Sequence, residues 1–429
     1  MDRVFEGGIM RHSVKLGFTI ILSSFLPLLL IPGCNGSDSS STPGGKPPSD
    51  ELPQQDIVVT IGNLSDFTGV AATSMSIISI ALKDMVDYFN NEDLIPGVTV
   101  EVIDYDNQFE AGKDISGYKY LRWKNADLIW TPVPGSGIRL KPLADKDHFL
   151  VICASVDIEE LLPAGYVFSV GNVPQYDTYT LLKWIAENDW DYQQKGPARI
   201  GGAAWADDYS PPFLDAVKAY AQTHPEQFEF AGAHITDFSF IWNSQIESLK
   251  DCDYLYPPTP MQKFVADYRN AGYEAKFVGS DVHDAFMGMI DDGDLWEEID
   301  GMLFIRATRW WNENGEIIDL VKQVLYENHP DNAEEIIRNG CGYLSAYQAY
   351  QMLHIIKDAC EAVGPENIDS QALYEAALSF TATSDGIDLY GFSDTKRCST
   401  NYYEVCRADA IEKDLIRVDP DWLPLIREP

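Results

Sequence analysis

Seven short stretches of this 429-residue chain concentrate the side chains that could do chemistry: "NLSDFTG" (63–69), "DYDNQFE" (104–110), "TPVPGSG" (131–137), "CASVDIEE" (153–160), "WADDYSPP" (205–212), "PPTP" (257–260) and "GSDVHD" (279–284). Each mixes Gly, Ser, Asp, Pro or an aromatic residue. Hydroxyls and loop N–H groups can donate to an anion, and carboxylates can receive a cation. Two residues raise a catalytic alternative. Cys153 lies at a strand end, and His283, two past Asp281, is the one histidine in these loops. A Cys153–His283 pair across a cleft would be the minimum for an exported hydrolase. His148, His224, His234, His329 and His354 stand in no motif with Cys153. Neither GxGxxG nor GxxxxGK[ST] occurs, and "GSG" at 135–137 lacks the rest of either motif. With no CxxC and no His-Cys cluster, no metal site and no cofactor are expected.

The elements that must position these loops alternate. "IVVTIG" reads as a strand, and "SMSIISIALKDMVDYFNN" carries Ile78, Leu82, Met85 and Phe89 at helical spacing. "VTVEVID", "DLIW" and "FLVICA" are further strands, separated by helices at "EAGKDISGYKYLRW" and "IRLKPLADKD", the latter with Pro142 inside it. The scheme then repeats. "ARIGGAA", "FEFAG", "DYLY", "KFVGS" and "GMLFI" alternate with helices that include "FLDAVKAYAQTH", "FIWNSQIESLK" and "MQKFVADYRNAG". Short β runs alternating with longer helices predict an α/β protein with parallel sheets covered on both faces. In such sheets ligands sit beyond the carboxyl ends of the strands, where these loops fall. The length exceeds one core and predicts two lobes.

The N-terminal part has a different character. Arg11, His12 and Lys15 precede an apolar run from Leu16 to Ile31, about 16 residues against the roughly 20 of a bilayer span. That is a secretory leader, starting at Met1 or Met10. Its end, Ile31-Pro32-Gly33-Cys34, resembles the lipobox of bacterial lipoproteins, with Pro32 where Ala, Ser or Thr is usual. Cys34 is then the lipidation site, and the expected product is exported and tethered to a bacterial membrane on its periplasmic or extracellular face. The alternative is an ordinary signal peptide with a chance cysteine. Residues 1–33 are read as the signal peptide. Residues 34–55, rich in Gly, Ser, Pro and acid, are read as a flexible linker. The net charge of −36 argues against nucleic acid and anionic lipid surfaces as partners. Cys398 and Cys406 flank a predicted hairpin and are the disulfide candidates. Cys341 and Cys360 bracket one long helical pattern that keeps them apart.

Taken in order, the loops resemble a family. "VTIGNLSDFTG", "VEVIDYDNQFEAGKD", "FLVICASVDIEEL", "ARIGGAAWADDYSPPFLDAVK" and "KFVGSD" are similar to successive segments of type I periplasmic solute-binding proteins of the branched-chain amino acid class, the receptors of ABC importers. Asn63 stands where Pro is usual and Ser210 where Gly is usual. The resemblance runs over roughly 56–410. It implies two Rossmann-like lobes joined by three crossings: 56–173 and 307–385 in lobe 1, 174–306 and the strands and tail of 386–429 in lobe 2. It also implies capture of an amino acid or related organic acid by hinge closure, with permease and ATPase subunits as partners and no catalysis. A receptor module of a sensor system would look the same from sequence.

An amino acid needs donors for its carboxylate and an acid for its ammonium. Gly135 and Ser136, just before a helix pattern, suit the carboxylate; the resemblance implies Ser155 as a further contact and gives the ammonium to Asp281. It also implies walls from Trp205 and Tyr209, with Thr259 nearby, and Phe67 and Thr68 from the first loop. Each residue has a plainer role open to it. Ser136 and Asp281 could be helix caps, and Trp205 and Tyr209 could pack between lobes. Asp157 stands where the family usually has Thr. An ionised Asp157 would repel a carboxylate, so either it turns away or the ligand is a cation or a hydroxyl-rich molecule.

Overall fold

The computed structural model describes residues 57–429. The expected leader, Cys34 and the linker lie outside the described residues. The first sheet is wholly parallel and contains β1 (Ile57–Ser65), β2 (Val98–Asp106), β3 (Leu128–Thr131), β4 (Val151–Ser155) and β5 (Val167–Asn172), in the order β2-β1-β3-β4-β5. Central strands of such sheets are covered on both faces, and β1 is buried from Val59 to Ser65. One cover is the helix Ala72–Asn91, which buries Leu82, Met85 and Phe89 and packs on the helix Ala346–Val363. The helix Ser136–Asp147 accommodates Pro142 without a break.

The second sheet begins with β6 (Ala198–Trp205), β7 (Phe228–Thr236), β8 (Tyr254–Tyr256), β9 (Lys276–Ser280) and β10 (Leu303–Arg306), all parallel to their neighbours. A hairpin, β11 (Thr381–Ser384) and β12 (Ile387–Gly391), stands apart from both sheets. Then β13 (Tyr402–Asp409) joins the second sheet antiparallel to β10 and pairs with β14 (Asp414–Arg417) and the short β15 (Leu423–Pro424). The order is β14-β13-β10-β9-β8-β6-β7.

The chain passes between the sheets three times: after β5, after β10, and between β12 and β13. After the first passage the helix Pro174–Asn188 packs on the helix Ser210–Thr223 of the second layer. After the second, the helices Glu316–Asn328 and Ala346–Val363 return to the helix Ala72–Asn91.

Three expectations are corrected. Cys398 and Cys406 are both free, and no hairpin joins them. Cys398 bridges to Ser169 of the first sheet, whereas Cys406 lies inside β13, paired with Phe304 and Arg417 of the second. The chain between them is largely one extended strand, which rises about 3.3 Å per residue and carries the two sulfurs apart. Second, "FIWNSQIESLK" is helical only over Asn243–Ser248, and residues 237–242 form a loop. Third, β5 was not anticipated. It follows a Pro- and Gly-containing stretch too closely for its short apolar run to stand out.

Candidate functional site: a cleft between the two sheets

The carboxyl ends of both sheets face a cleft of about 520 Å³, within the roughly 300–1,000 Å³ usual for small-molecule sites. Five of the ten expected residues line it: Ser155, Trp205, Tyr209, Thr259 and Asp281. Trp205 ends β6, and its ring stands near Phe238 and Phe240 of the loop after β7 (centroids 5.5 and 4.9 Å). Its indole N–H donates to the Ser239 carbonyl at 2.9 Å, which fixes the ring as a wall. Tyr209 is buried. Its hydroxyl donates to Asp177 and shares a 2.8 Å hydrogen bond with Ser280. It lies just before the helix Ser210–Thr223, whose first turn is capped by Asp207 through the Tyr209 and Ser210 N–H groups (2.8 and 2.6 Å).

Asp281 opens a short helix capped by Ser280, not by Asp281 itself. Its Oδ2 accepts the Ala307 N–H at 3.4 Å, so only Oδ1 is left for the cleft. Its Oδ1 lies 3.3 Å from Arg306 Nη1 without a hydrogen bond of its own. Burial raises the Asp281 pKa, against the pull of Arg306. Arg306 is fully buried at the end of β10 and also lines the cleft. Its Nη1 pairs with Asp284, its Nε lies 3.6 Å from Glu404, and its Nη2 has no partner. The guanidinium lies 4.6 Å from the centre of the Trp310 ring. Burial pushes Asp284 up to about 7, despite Arg306 beside it.

The other five expected residues do not line the cleft. Phe67 and Thr68 are drawn to Asp106, which accepts the Phe67 N–H at 2.9 Å and the Thr68 hydroxyl at 2.6 Å. Ser136 is buried, with its Oγ 3.2 Å from Arg139 Nη2 and 3.5 Å from Asn107 Nδ2. Gly135 adopts φ +76, a left-handed conformation suited to glycine, and a Cβ there would collide with the Asp208 carboxylate. Asp157 turns away. It caps the helix Ile158–Leu161 by accepting the Glu159 N–H at 2.9 Å and takes Gln175 Nε2 at 2.8 Å.

The Cys153–His283 alternative is not assembled. The Cys153 thiol donates to the Phe168 carbonyl at 3.2 Å inside the first sheet's core. His283 accepts the Ser280 N–H at Nδ1 (3.2 Å), and its Nε2 lies 3.0 Å from the Pro257 carbonyl. Burial lowers the His283 pKa to about 4, leaving a neutral ring locked in a structural role.

Sequence reading missed Arg306, Tyr347, Gln348, Phe238 and Phe240, all of which line the cleft. A charged residue closing the apolar run "GMLFIR" was the available signal for Arg306. Among the described residues no cluster of three or more His, Cys, Asp or Glu side chains could hold a metal ion. No described helix is long and apolar enough to cross a membrane.

Two α/β layers joined by three chain passages, with a ligand-sized cleft at their strand ends, define the type I periplasmic-binding architecture. The chain belongs to the periplasmic binding protein family, whose sequence profile matches residues 58–405. Solved structures agree in fold. A branched-chain amino acid ABC transporter protein from Thermus thermophilus with bound valine has a TM-score of 0.71 at 16% identity, over 86% of this chain and 96% of its own. A fatty acid ABC transporter substrate-binding protein from Thermomonospora curvata gives 0.71 at 17%, over 85% and 92%. A solute-binding protein of an ABC transporter from Rhodopseudomonas palustris BisB5, in complex with 3,4-dihydroxybenzoic acid, gives 0.70 at 13%, over 87% and 99%. No curated protein matches the chain in sequence.

Proposed function

We propose that this protein is a lipid-anchored, extracytoplasmic solute-binding protein that traps a small organic ligand between its lobes and delivers it to an ABC permease. In this reading residues 57–173 and 307–391 form one lobe and 174–306 and 402–429 the other; the expected boundary at 385 moves because it would split the β11–β12 hairpin. The carrying observation is the cleft itself. Asp281 and Arg306, from the second sheet, stand in one cavity with Tyr347 and Gln348, from a helix that packs with the first layer. A ligand touching both sides is bound better by the closed form than by the open one, and that difference drives hinge closure. The valine, fatty-acid and dihydroxybenzoate proteins that share the fold support a ligand with a charged head and an apolar body. Amino acids and related organic acids are the first candidates.

The test is a thermal-shift screen of the purified protein with amino acids, aliphatic and aromatic carboxylates, amines and sugars. A ligand that binds only the folded state raises the melting temperature in proportion to the logarithm of its concentration. Such a rise with any one class, at one ligand per chain, supports the reading. No rise with any class overturns it.

A further inference from the structure

The expected seat for a ligand carboxylate is already filled by the protein. The helix Ser136–Asp147 and Arg139 form a donor-rich corner, the kind of place that attracts an anion. The carboxylate that occupies it is that of Asp208, which follows β6 of the second sheet. Asp208 Oδ2 lies 2.6 Å from Arg139 Nη1 and rests against Gly135. The Ser136 hydroxyl is turned into the interior toward Arg139 and Asn107.

The other cation at the cleft is no better placed to receive a carboxylate. Arg306 is flanked by Asp281, Asp284 and Glu404. Beyond them Arg417 pairs with Glu404 at 3.1 Å and with Glu313 at 3.2 Å. Arg309 joins Glu313 at 3.1 Å and Asp385 at 2.7 Å, so five carboxyl groups share three guanidiniums before any ligand arrives. A ligand carboxylate would be a further acid where burial already disfavours the charged form, with Asp281 and Glu404 raised and Asp284 pushed up to about 7. A ligand cation beside Asp281 would instead favour its ionised form. The buried, unpartnered cleft atoms are the acceptors Asp281 Oδ1 and Gln262 Oε1, the hydroxyls of Ser74 and Thr259, and the donors Nε and Nη2 of Arg306. Around them the walls are rings: Trp205, Phe238, Phe240, Phe109 and Phe286. Such faces suit an apolar body and attract a cation.

We propose that the ligand is an organic cation without a free carboxylate, a primary ammonium on an apolar aliphatic or aromatic body, held by Asp281 and enclosed by the aromatic walls. This rests on the solute-trap reading above and narrows it.

The experiment is calorimetric titration of the intact protein with matched sets. Phenethylamine is compared with L-phenylalanine and hydrocinnamate, and hexylamine with L-norleucine and hexanoate. At least one amine is expected to bind tenfold or more tightly than both of its carboxylate-bearing partners. Asp281→Asn is expected to weaken that amine tenfold or more. The wild-type comparison decides independently of whether the variant folds. If amino acids or carboxylates bind as tightly as the amines, the inference falls and the solute-trap reading stands. If an amine binds but a folded Asp281→Asn protein retains its affinity, the assignment to Asp281 falls. If no member binds, the inference falls, and the broader thermal-shift screen decides the solute-trap reading.

Discussion

Arg139 reaches across the cleft to Asp208. One side chain belongs to a helix that packs with the first sheet and the other to the loop after β6 of the second, and their atoms approach to 2.6 Å. Arg139 also pairs with buried Asp114 of its own layer at 2.6 Å, which fixes its direction. The pair is thus a contact that exists only while the lobes stand together. It is partly open to water, with side-chain exposures of 26% and 54%, so its strength is modest.

Arg139→Ala or Asp208→Asn should favour the open form. Exposed pairs contribute about 0.2–1 kcal/mol, so ligand affinity should fall about 1.5- to 5-fold. Small-angle scattering of the unliganded variants should give a larger radius of gyration than wild type. An unchanged radius together with unchanged affinity would refute the latch.

Removing Arg306 should be far more costly. Arg306→Met leaves Asp281, Asp284 and Glu404 buried without their shared cation. Breaking a buried pair from one side typically costs about 3–5 kcal/mol. The urea midpoint should fall accordingly, and a shift within error of wild type would show that the cluster does not support the fold.

Asp177 provides a pH signature. Burial raises its pKa to about 7, although Tyr209 and Asn172 donate to it. Between about pH 4 and 7 the folded chain therefore holds a proton that the unfolded chain has lost. Stability from this group falls as pH rises through that window and levels off above it. Against Asp177→Asn, wild type should lose melting temperature from pH 4 to 7, with no further relative change at pH 8. The His283 ring, held near 4, acts in the opposite direction below its unfolded pKa of about 6.5. That contribution is common to both proteins and cancels in the comparison.

The thiols Cys153, Cys252, Cys341, Cys360, Cys398 and Cys406 are all free. Alkylation in denaturant without reductant should label all six, as read by mass. Protection of Cys398 together with Cys406 would restore the disulfide that the fold argues against.

The proposed anchor is tested at Cys34. Cys34→Ser should move the protein from the membrane fraction to the soluble one when it is expressed in a bacterial host. A variant that stays with the membrane would remove lipidation from the account.

Layer structure was legible because it rests on local periodicity. β1, β3, β4, β6 and β9 are short apolar runs between helices whose buried faces recur every three or four residues. Asp281, Trp205 and Tyr209 were found because each follows a strand's carboxyl end, a rule of topology that survives without coordinates. The donors were misjudged because their partners are remote in sequence. Asp208 lies 69 residues from Arg139, and Asp106 is 38 from Thr68. Tyr347 and Gln348 were invisible for a related reason. Their helix is apolar around much of its girth, and which stripe meets the cleft is decided by docking on the helix Ala72–Asn91.

The location of Arg306 has a mechanical consequence. It is the last residue of β10, and the chain leaves the second sheet at the next position, where the Tyr390 hydroxyl of β12 holds the Ala307 carbonyl at 3.0 Å. The ligand's head would therefore be gripped beside the fulcrum, while half-exposed Phe238 and Phe240 ride at the long end of the lever. A given rotation moves the head contacts little and the aromatic contacts far. Head chemistry then governs whether a molecule is held, and the length of its body governs how far the jaws travel. Two ligands of equal affinity would then leave the two lobes closed to different extents.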